Sequence, residues 1–317
     1  MSSMVTTHER PGVYSVYAAS AVVSGAARRG WAAVAARSQG GTPGKLYDLG
    51  RYEEAETTFG KEDALTALVK LLMANGAARV LAVPVEEEAD YPAAFALLGE
   101  QESVKVVVCD SQTLSVQQAL RDQVLADAQV RRERIAVVPG GAEESVSQLV
   151  ARAICGEGDP ALPLGGVELR GIPGLALRYG ESELDTLLQG GVTPVELAGG
   201  VCSVVRGVTT RTTTGGVSDS TWRELTTILV VDDVIPGVRN ALRAKFPRAK
   251  NTAQTRGAVR SQVILELERK LASEIITGYG EVTVQPLEEA PTVCLVTFSF
   301  TVAHGLNQIW LSAQITV

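Results

Sequence analysis

A chain of 317 residues with 45% hydrophobic side chains is long enough for one large domain or two smaller ones, each with its own core. Its net charge of −7 argues against a general nucleic-acid binder, and no apolar run approaches the roughly 20 residues needed to cross a bilayer. Met1 to Arg10 has no secretory-signal pattern, so a soluble globular protein made and folded in the cytoplasm is expected.

After that polar leader, Pro11-Gly12-Val13-Tyr14-Ser15-Val16-Tyr17 reads as a short extended stretch, and the small residues behind it carry no core signal. Acid collects early, at Glu53, Glu54 and Glu56 and again at Glu86, Glu87, Glu88 and Asp90. From Lys61 onward helix and strand patterns alternate. Lys61 to Asn75 predicts a helix with Ala64, Leu65, Leu68 and Leu72 at helical spacing and Asn75-Gly76 as its stop. Arg79 to Val85, Val104 to Cys109 and Ile135 to Val138 predict apolar strands. Tyr91 to Leu98, Thr113 to Val130 and Glu143 to Ile154 predict the helices around them. Apolar strands separated by helices imply a parallel sheet covered on both faces, a doubly wound α/β unit.

Gly156 to Gly174, rich in Gly and Pro, reads as a long loop or an interdomain connection. Ser182 to Gln189 predicts a helix stopped by Gly190-Gly191, Cys202 to Arg206 a strand, and Gly207 to Gly216 an extended segment leading into a surface loop. Thr221 to Phe246 is ambiguous: the β-branched run Thr226 to Val231 favours a strand, and the spacing of Leu225, Ile228, Leu229, Asp232, Val238 and Leu242 favours a helix kinked near Pro236, the reading adopted. Gly257 to Thr277 predicts a helix with Val259, Val263, Leu267, Leu271 and Ile275 on one stripe and Gly278 at its end. Val282 to Gln285 and Thr292 to Val302 predict strands. The last ten residues alternate: Ile309, Leu311, Ala313, Ile315 and Val317 share one face, with Trp310 the one large exception on the other. Two readings of this segment stand: an arm that joins the sheet of a neighbouring copy, or a hairpin folded back on Thr292 to Val302 through His304-Gly305-Leu306-Asn307.

The constellations of common α/β enzymes are missing. The chain has no G-x-G-x-x-G at the first strand-to-helix turn, no G-x-x-x-x-G-K-[ST] and no G-x-S-x-G. Its two histidines, His8 and His304, have no helical partner at metal-ligand spacing, and Cys109, Cys155, Cys202 and Cys294 lack any C-x-x-C pattern and read as buried free thiols. Asp232 and Asp233 are adjacent, but consecutive helical residues point about 100° apart, so a helix-surface role, pairing with Arg239 or a neighbouring subunit, is expected rather than a shared site. Asp110 ends a parallel-type strand, where active sites of such sheets often lie, and a single carboxylate there is weak evidence. No catalytic residue, metal or cofactor is assigned. From Arg239 to Arg260 the sign of the charge reverses, with Arg239, Arg243, Lys245, Arg248, Lys250, Arg256 and Arg260 uninterrupted by any carboxylate, a candidate for docking on an acidic partner.

Four motifs, Arg10-Pro11-Gly12-Val13-Tyr14, Gly190-Gly191-Val192-Thr193-Pro194-Val195-Glu196, Val205-Arg206-Gly207-Val208-Thr209-Thr210-Arg211, and Val293 to Val317 with Gly305-Leu306-Asn307, together resemble contractile phage tail sheath proteins of the shorter type, also found in phage-tail-like bacteriocins. The resemblance implies a non-enzymatic homopolymer of stacked rings or helical strands around an inner tube, in a virion tail or tail-like particle assembled in the bacterial cytoplasm. Baseplate and tail terminator are further partners, with no direct contact to nucleic acid and no membrane insertion. It implies a doubly wound α/β unit plus an α+β sheath core, divided as an arm over 1–24, an α/β domain over 25–160, a sheath core over 161–302 and a terminal arm over 303–317. Val13, Tyr14, Val16 and Tyr17, with Ile309, Trp310, Leu311, Ile315 and Val317, become exchanged arms. Val282, Val284, Leu295, Val296, Phe298 and Phe300 become acceptor strands, and the basic run from Arg239 to Arg260 the tube contact. Contraction of a stored lattice then replaces nucleotide hydrolysis. An α/β enzyme with an unrecognised site, or another tail component such as a baseplate or terminator protein, are the competing readings.

Overall fold

The computed structural model describes residues 31–139, 159–172, 175 and 178–307. Both expected arms, Val13 to Tyr17 and Gln308 to Val317, the helix expected over Glu143 to Ile154, and Cys155 lie outside the described residues.

The first sheet has five strands, β1 (Trp31–Arg37), β2 (Tyr47–Leu49), β3 (Arg79–Val85), β4 (Val104–Cys109) and β5 (Ile135–Val137), in the order β2-β3-β1-β4-β5. β3, β1, β4 and β5 run parallel, and β2 lies antiparallel on the outer edge of β3. The central strand, β1, is one that periodicity does not predict: four of its seven residues are alanine, a weak strand former. Its place between two helical layers explains the choice. Ala32, Val34 and Ala36 pack with Ala55 and Phe59 of α1 (Tyr52–Phe59) and with Leu65, Val69 and Leu72 of α2 (Ala64–Ala74). Ala33 and Ala35 pack with Tyr91, Phe95 and Leu98 of α3 (Tyr91–Gly99) and with Val116, Leu120 and Val124 of α4 (Leu114–Gln129). Small side chains on the middle strand let helices approach from both sides, so the doubly wound reading holds although its axis was unseen.

Among the described residues, the second half is built from short ladders and four helices. α5 (Glu181–Gln189) ends at Gly190-Gly191 as expected, and β6 (Val195–Ala198) pairs antiparallel with β7 (Val201–Val204) around Gly199-Gly200, whose φ angles of +60° and +87° suit a two-residue hairpin turn. The threonine-rich segment forms a small hairpin, β8 (Thr213–Thr214) with β9 (Val217–Ser218). Asp219 then caps α6 (Ser220–Arg223), accepting from the N–H groups of Thr221 and Trp222. The ambiguous stretch is helical: α7 (Leu225–Lys245) carries Pro236 inside it. Val230, Val234, Val238 and Leu242 recur every four residues and pack against Val259, Val263 and Leu267 of α8 (Ala253–Ala272).

α8 begins four residues before the predicted start, because the Thr252 hydroxyl accepts from the N–H of Thr255 at 3.2 Å and caps it. It also ends earlier than predicted. Glu274 takes φ +57°, and the N–H groups of Glu274 and Ile275 bond back to the carbonyls of Leu271 and Lys270, a helix-terminating motif that usually has glycine in the left-handed position. Ile275 stays in the core as a loop residue, and β10 (Ile276–Tyr279) follows. The single strand expected over Thr292 to Val302 is two: β12 (Ala290–Thr297) pairs with β11 (Thr283–Leu287), whereas β13 (Phe300–Val302) pairs with β10. Of the cysteines, Cys109 and Cys202 are buried thiols outside any disulfide, but Cys294 is exposed on β12, because a two-stranded ladder buries only the face it lays on the helices.

Candidate assembly surfaces

The end of the sheet where an α/β enzyme would bind its ligand is occupied by the protein's own side chains. Asp110, just past β4, accepts from the backbone N–H of Arg37 at 3.1 Å and from the Tyr91 hydroxyl. Beside it Arg37 pairs with Glu88 at 3.5 Å, and Thr113 donates to the same carboxylate at 2.7 Å. Burial, reinforced by the hydrogen bond to Asp110, holds the Tyr91 phenol well above its ordinary range. Asp110 is therefore a structural acceptor that closes the crevice where strand order reverses between β3, β1 and β4. Asp232 and Asp233 do not converge. Asp232 is buried, and Asp233 pairs with Lys270 across the α7–α8 contact. No group of three or more His, Cys, Asp or Glu side chains that could hold a metal occurs among the described residues.

The basic run does not form one surface. Arg239 is only 5% exposed and grips Glu133, so it is removed from the candidate docking set: it lies on the buried side of α7, one turn past Pro236. Asp233, one of the two carboxylates expected near Arg239, pairs with Lys270. Arg243, Arg248 and Lys250 are exposed around the turn between α7 and α8. Lys245 donates to Gln262 at 2.7 Å, Arg256 to the Asn251 side chain at 3.0 Å, and Arg260 to the Val282 carbonyl at 2.7 Å. These three heads tie α8 to its surroundings, leaving Arg243, Arg248 and Lys250 as the compact cationic ridge.

The acceptor-strand residues do gather in one place. Val282 is buried in the α7–α8 core, and Val284, Val296, Phe298 and Phe300 pack half-buried against it with Tyr279 and Val302. Leu295 points the other way and is 48% exposed. The sheet that covers this core is split: among the described residues β10 pairs only with β13, and β11 only with β12. Two-stranded ladders are marginal alone and hold here because aromatic and aliphatic side chains lie on the helices. Each has two outer edges bearing N–H and C=O groups to which no other described strand is paired. Pro286 and Pro291 sit towards the hairpin end of β11 and β12, where their missing N–H groups discourage pairing at that end. The described chain stops at Asn307, ten residues short of the terminus and only five beyond β13.

The glycine and threonine motifs from the middle of the chain also meet. Gly191 has φ +80°, and a Cβ there would lie 2.7 Å from the Thr209 carbonyl. The Thr193 hydroxyl accepts from the Val208 N–H and donates to the Val208 carbonyl, each at 2.9 Å. Thr209 in turn bonds the backbone of Arg223 and Trp222, and Arg206 pairs with Glu224. The knot fixes the chain leading into α7, which packs against α8, the helix that carries β10 and β11.

A family model described as the phage tail sheath C-terminal domain matches residues 217–316. This part of the chain is a sheath domain. The sheath domain thus comprises α6, α7, α8 and both ladders, and extends into the last ten residues. Over nearly its full length the chain has the fold of sheath proteins. It superposes on a chain of the anti-feeding prophage helical sheath in its contracted state with a TM-score of 0.73 at 15% identity, covering 97% of this chain and 99% of that one. A chain in the six-fold-symmetrised baseplate of the same particle gives 0.73 at 15% identity, covering 98% and 100%. The sheath tail protein of Desulfitobacterium hafniense gives 0.70 at 12% identity, covering 92% and 100%. No curated protein sequence matches.

Sequence reading missed Glu133, Asn75 and Arg170, which join the α/β unit to the rest. Asn75 receives the Arg170 N–H and donates to the Arg170 carbonyl, both at 2.8 Å. The only signal for Glu133 was the charge alternation in Arg132-Glu133-Arg134, and Asn75 was legible as a helix stop but not as a bridge to Arg170.

Proposed function

We propose that this chain is the repeating subunit of a contractile tail sheath, in a phage tail or a phage-tail-like particle, with a structural rather than a catalytic role. Copies polymerise around an inner tube and bind baseplate and terminator at its ends. The observation that carries the reading is the pair of two-stranded ladders on the sheath domain, whose outer edges no other described strand occupies. An arm such as Gln308 to Val317, or Val13 to Tyr17, docked on such an edge in a neighbouring copy makes backbone hydrogen bonds worth about 0.5–1.5 kcal/mol each, so roughly six supply several kcal/mol per junction. Extended arms keep neighbours joined while the cores swing, which lets the lattice shorten and widen without dissociating. The work of driving the tube through an envelope then comes from the better core contacts of the contracted lattice. Arg243, Arg248 and Lys250 are the residues assigned to an acidic tube exterior.

Negative-stain imaging of the purified full chain beside a version lacking residues 308–317 tests this. Long tubes or cogwheel rings for the full chain and dispersed particles for the truncated one are expected. Small closed oligomers for the full chain would remove the sheath reading, and normal tubes from the truncated chain would remove the terminal arm and favour the hairpin.

A further inference from the structure

We infer that the buried Glu133–Arg239 pair is a positioning device that sets the angle of the α/β unit on the sheath domain. It joins residues 106 apart in sequence, and the two side chains are 4% and 5% exposed. Both nitrogens of the guanidinium fork engage both carboxylate oxygens, the longer bond 3.1 Å.

The acceptor is built in advance. The segment Arg131 to Arg134 between α4 and β5 leaves the helix through Arg131, whose φ is +68°, and the N–H of Arg132 bonds back to the Asp127 carbonyl. Arg132 and Arg134 turn inward, where Arg132 donates to the Gly99 carbonyl and Arg134 to those of Leu98, Gly99 and Gln101 at the end of α3, with Asp127 of α4 at 3.3 Å. Glu133 is thereby aimed outward at α7, on a segment bolted to two helix ends. Across from it, α7 is softest one turn before Arg239: Pro236 lacks the N–H that the helix ladder needs, and Gly237 is the most flexible helical residue. The remaining contacts of the α/β unit with this region include apolar ones, Leu71 and Ile135 against a cluster containing Leu225 and Leu229. Apolar contact is non-directional and lets surfaces slide. A bidentate fork does not, since it fixes both the direction and the plane of approach. Asn75–Arg170 supplies a second, exposed attachment at the end of α2. Two attachment points, one at the end of α2 and one before β5, define an angle, and the buried one is the stop.

A buried ion pair contributes little net stability relative to apolar side chains of the same size, so orientation is the role that the physics leaves for it. The consequence for assembly rests on the sheath reading: a lattice repeats one angle many times, so each copy must present its α/β unit at the same tilt.

The test is a pulsed dipolar distance measurement on the full chain. Spin labels are placed at the exposed sites Ala126→Cys on α4 and Ala258→Cys on α8, in a Cys155→Ser, Cys294→Ser background, with labelled copies diluted into unlabelled protein. Replacing the pair by Glu133→Leu with Arg239→Met should keep the melting temperature close to the parent's and broaden the distance distribution about twofold, and Arg239→Lys, which keeps the charge and loses the fork, should broaden it too. A distribution as narrow as the parent's in either variant would overturn the inference and leave the pair a packing element. If the apolar pair does not fold, the Arg239→Lys result decides alone. Broadening without any loss of tube formation would keep the positioning role and detach it from assembly. Failure of the parent chain itself to polymerise would sink the sheath reading while the distances still judge the pair.

Discussion

Tyr91 donates its hydroxyl to Asp110 across the end of the central sheet, joining the first residue of α3 to the turn after β4. The bond engages the carboxylate at a position suited to catalysis in many α/β folds. Tyr91→Phe keeps the ring and its contact with Phe95, whose centroid is 5.7 Å away, and removes only the hydroxyl. A loss of about 1.5–3 kcal/mol in denaturant unfolding is expected, the range for a hydrogen bond to a charged group, with assembly unaltered.

The same corner predicts alkaline weakness. Burial pushes the Cys109 thiol up to about 12 from an ordinary 9.0. Between those values the unfolded chain has released the proton that the folded chain retains, so stability falls as pH rises, by at most about 1.4 kcal/mol per pH unit from this group, and is intact below pH 9. Tyr91, raised for the same reason, adds to the slope at higher pH. Unfolding midpoints measured from pH 8 to 11 should decline, and Cys109→Ala should flatten the first part of the decline.

At the knot beneath α7, Gly191→Ala forces a methyl to within 2.7 Å of the Thr209 carbonyl at a φ of +80°. A loss of about 2–3 kcal/mol is expected from the combined clash and strain. Thr193→Val strips both bonds to Val208 at nearly constant volume and should cost about 1–3 kcal/mol. Calorimetry on the two single variants checks both, and equal stability for Thr193→Val would show the hydroxyl to be dispensable.

For the cationic ridge, reversing Arg243, Arg248 and Lys250 to glutamate should leave the melting temperature within a few degrees, since all three are exposed. The triple variant should co-sediment less with tube protein, and the parent's binding should weaken with salt as screening shortens to about 8 Å at physiological ionic strength. Arg239→Glu should behave differently, costing about 3–5 kcal/mol by leaving like charges facing each other in a buried site. Unchanged tube binding by the triple variant would move the tube contact elsewhere.

What the sequence by itself determined were elements whose own side chains announce them. β3 and β4 are apolar and rich in valine and appear where they were predicted, at Arg79–Val85 and Val104–Cys109. The four-residue spacing from Val230 to Leu242 outweighed local strand propensity because a twenty-one-residue amphipathic helix buries more than a short strand would. Tertiary structure decided the rest. β1 is mostly alanine and is a strand only because two helical layers and the neighbours β3 and β4 enclose it. The end of α8 depended on a left-handed Glu274 that propensity disfavours, and the break between β12 and β13 on which ladder each half could join. The sign of Arg239 was plain in the sequence, but which side of α7 faces Glu133 is a matter of packing between segments 106 residues apart. Charge is a local property of the chain, whereas burial, and with it the difference between a docking residue and an internal one, exists only once distant segments have come together.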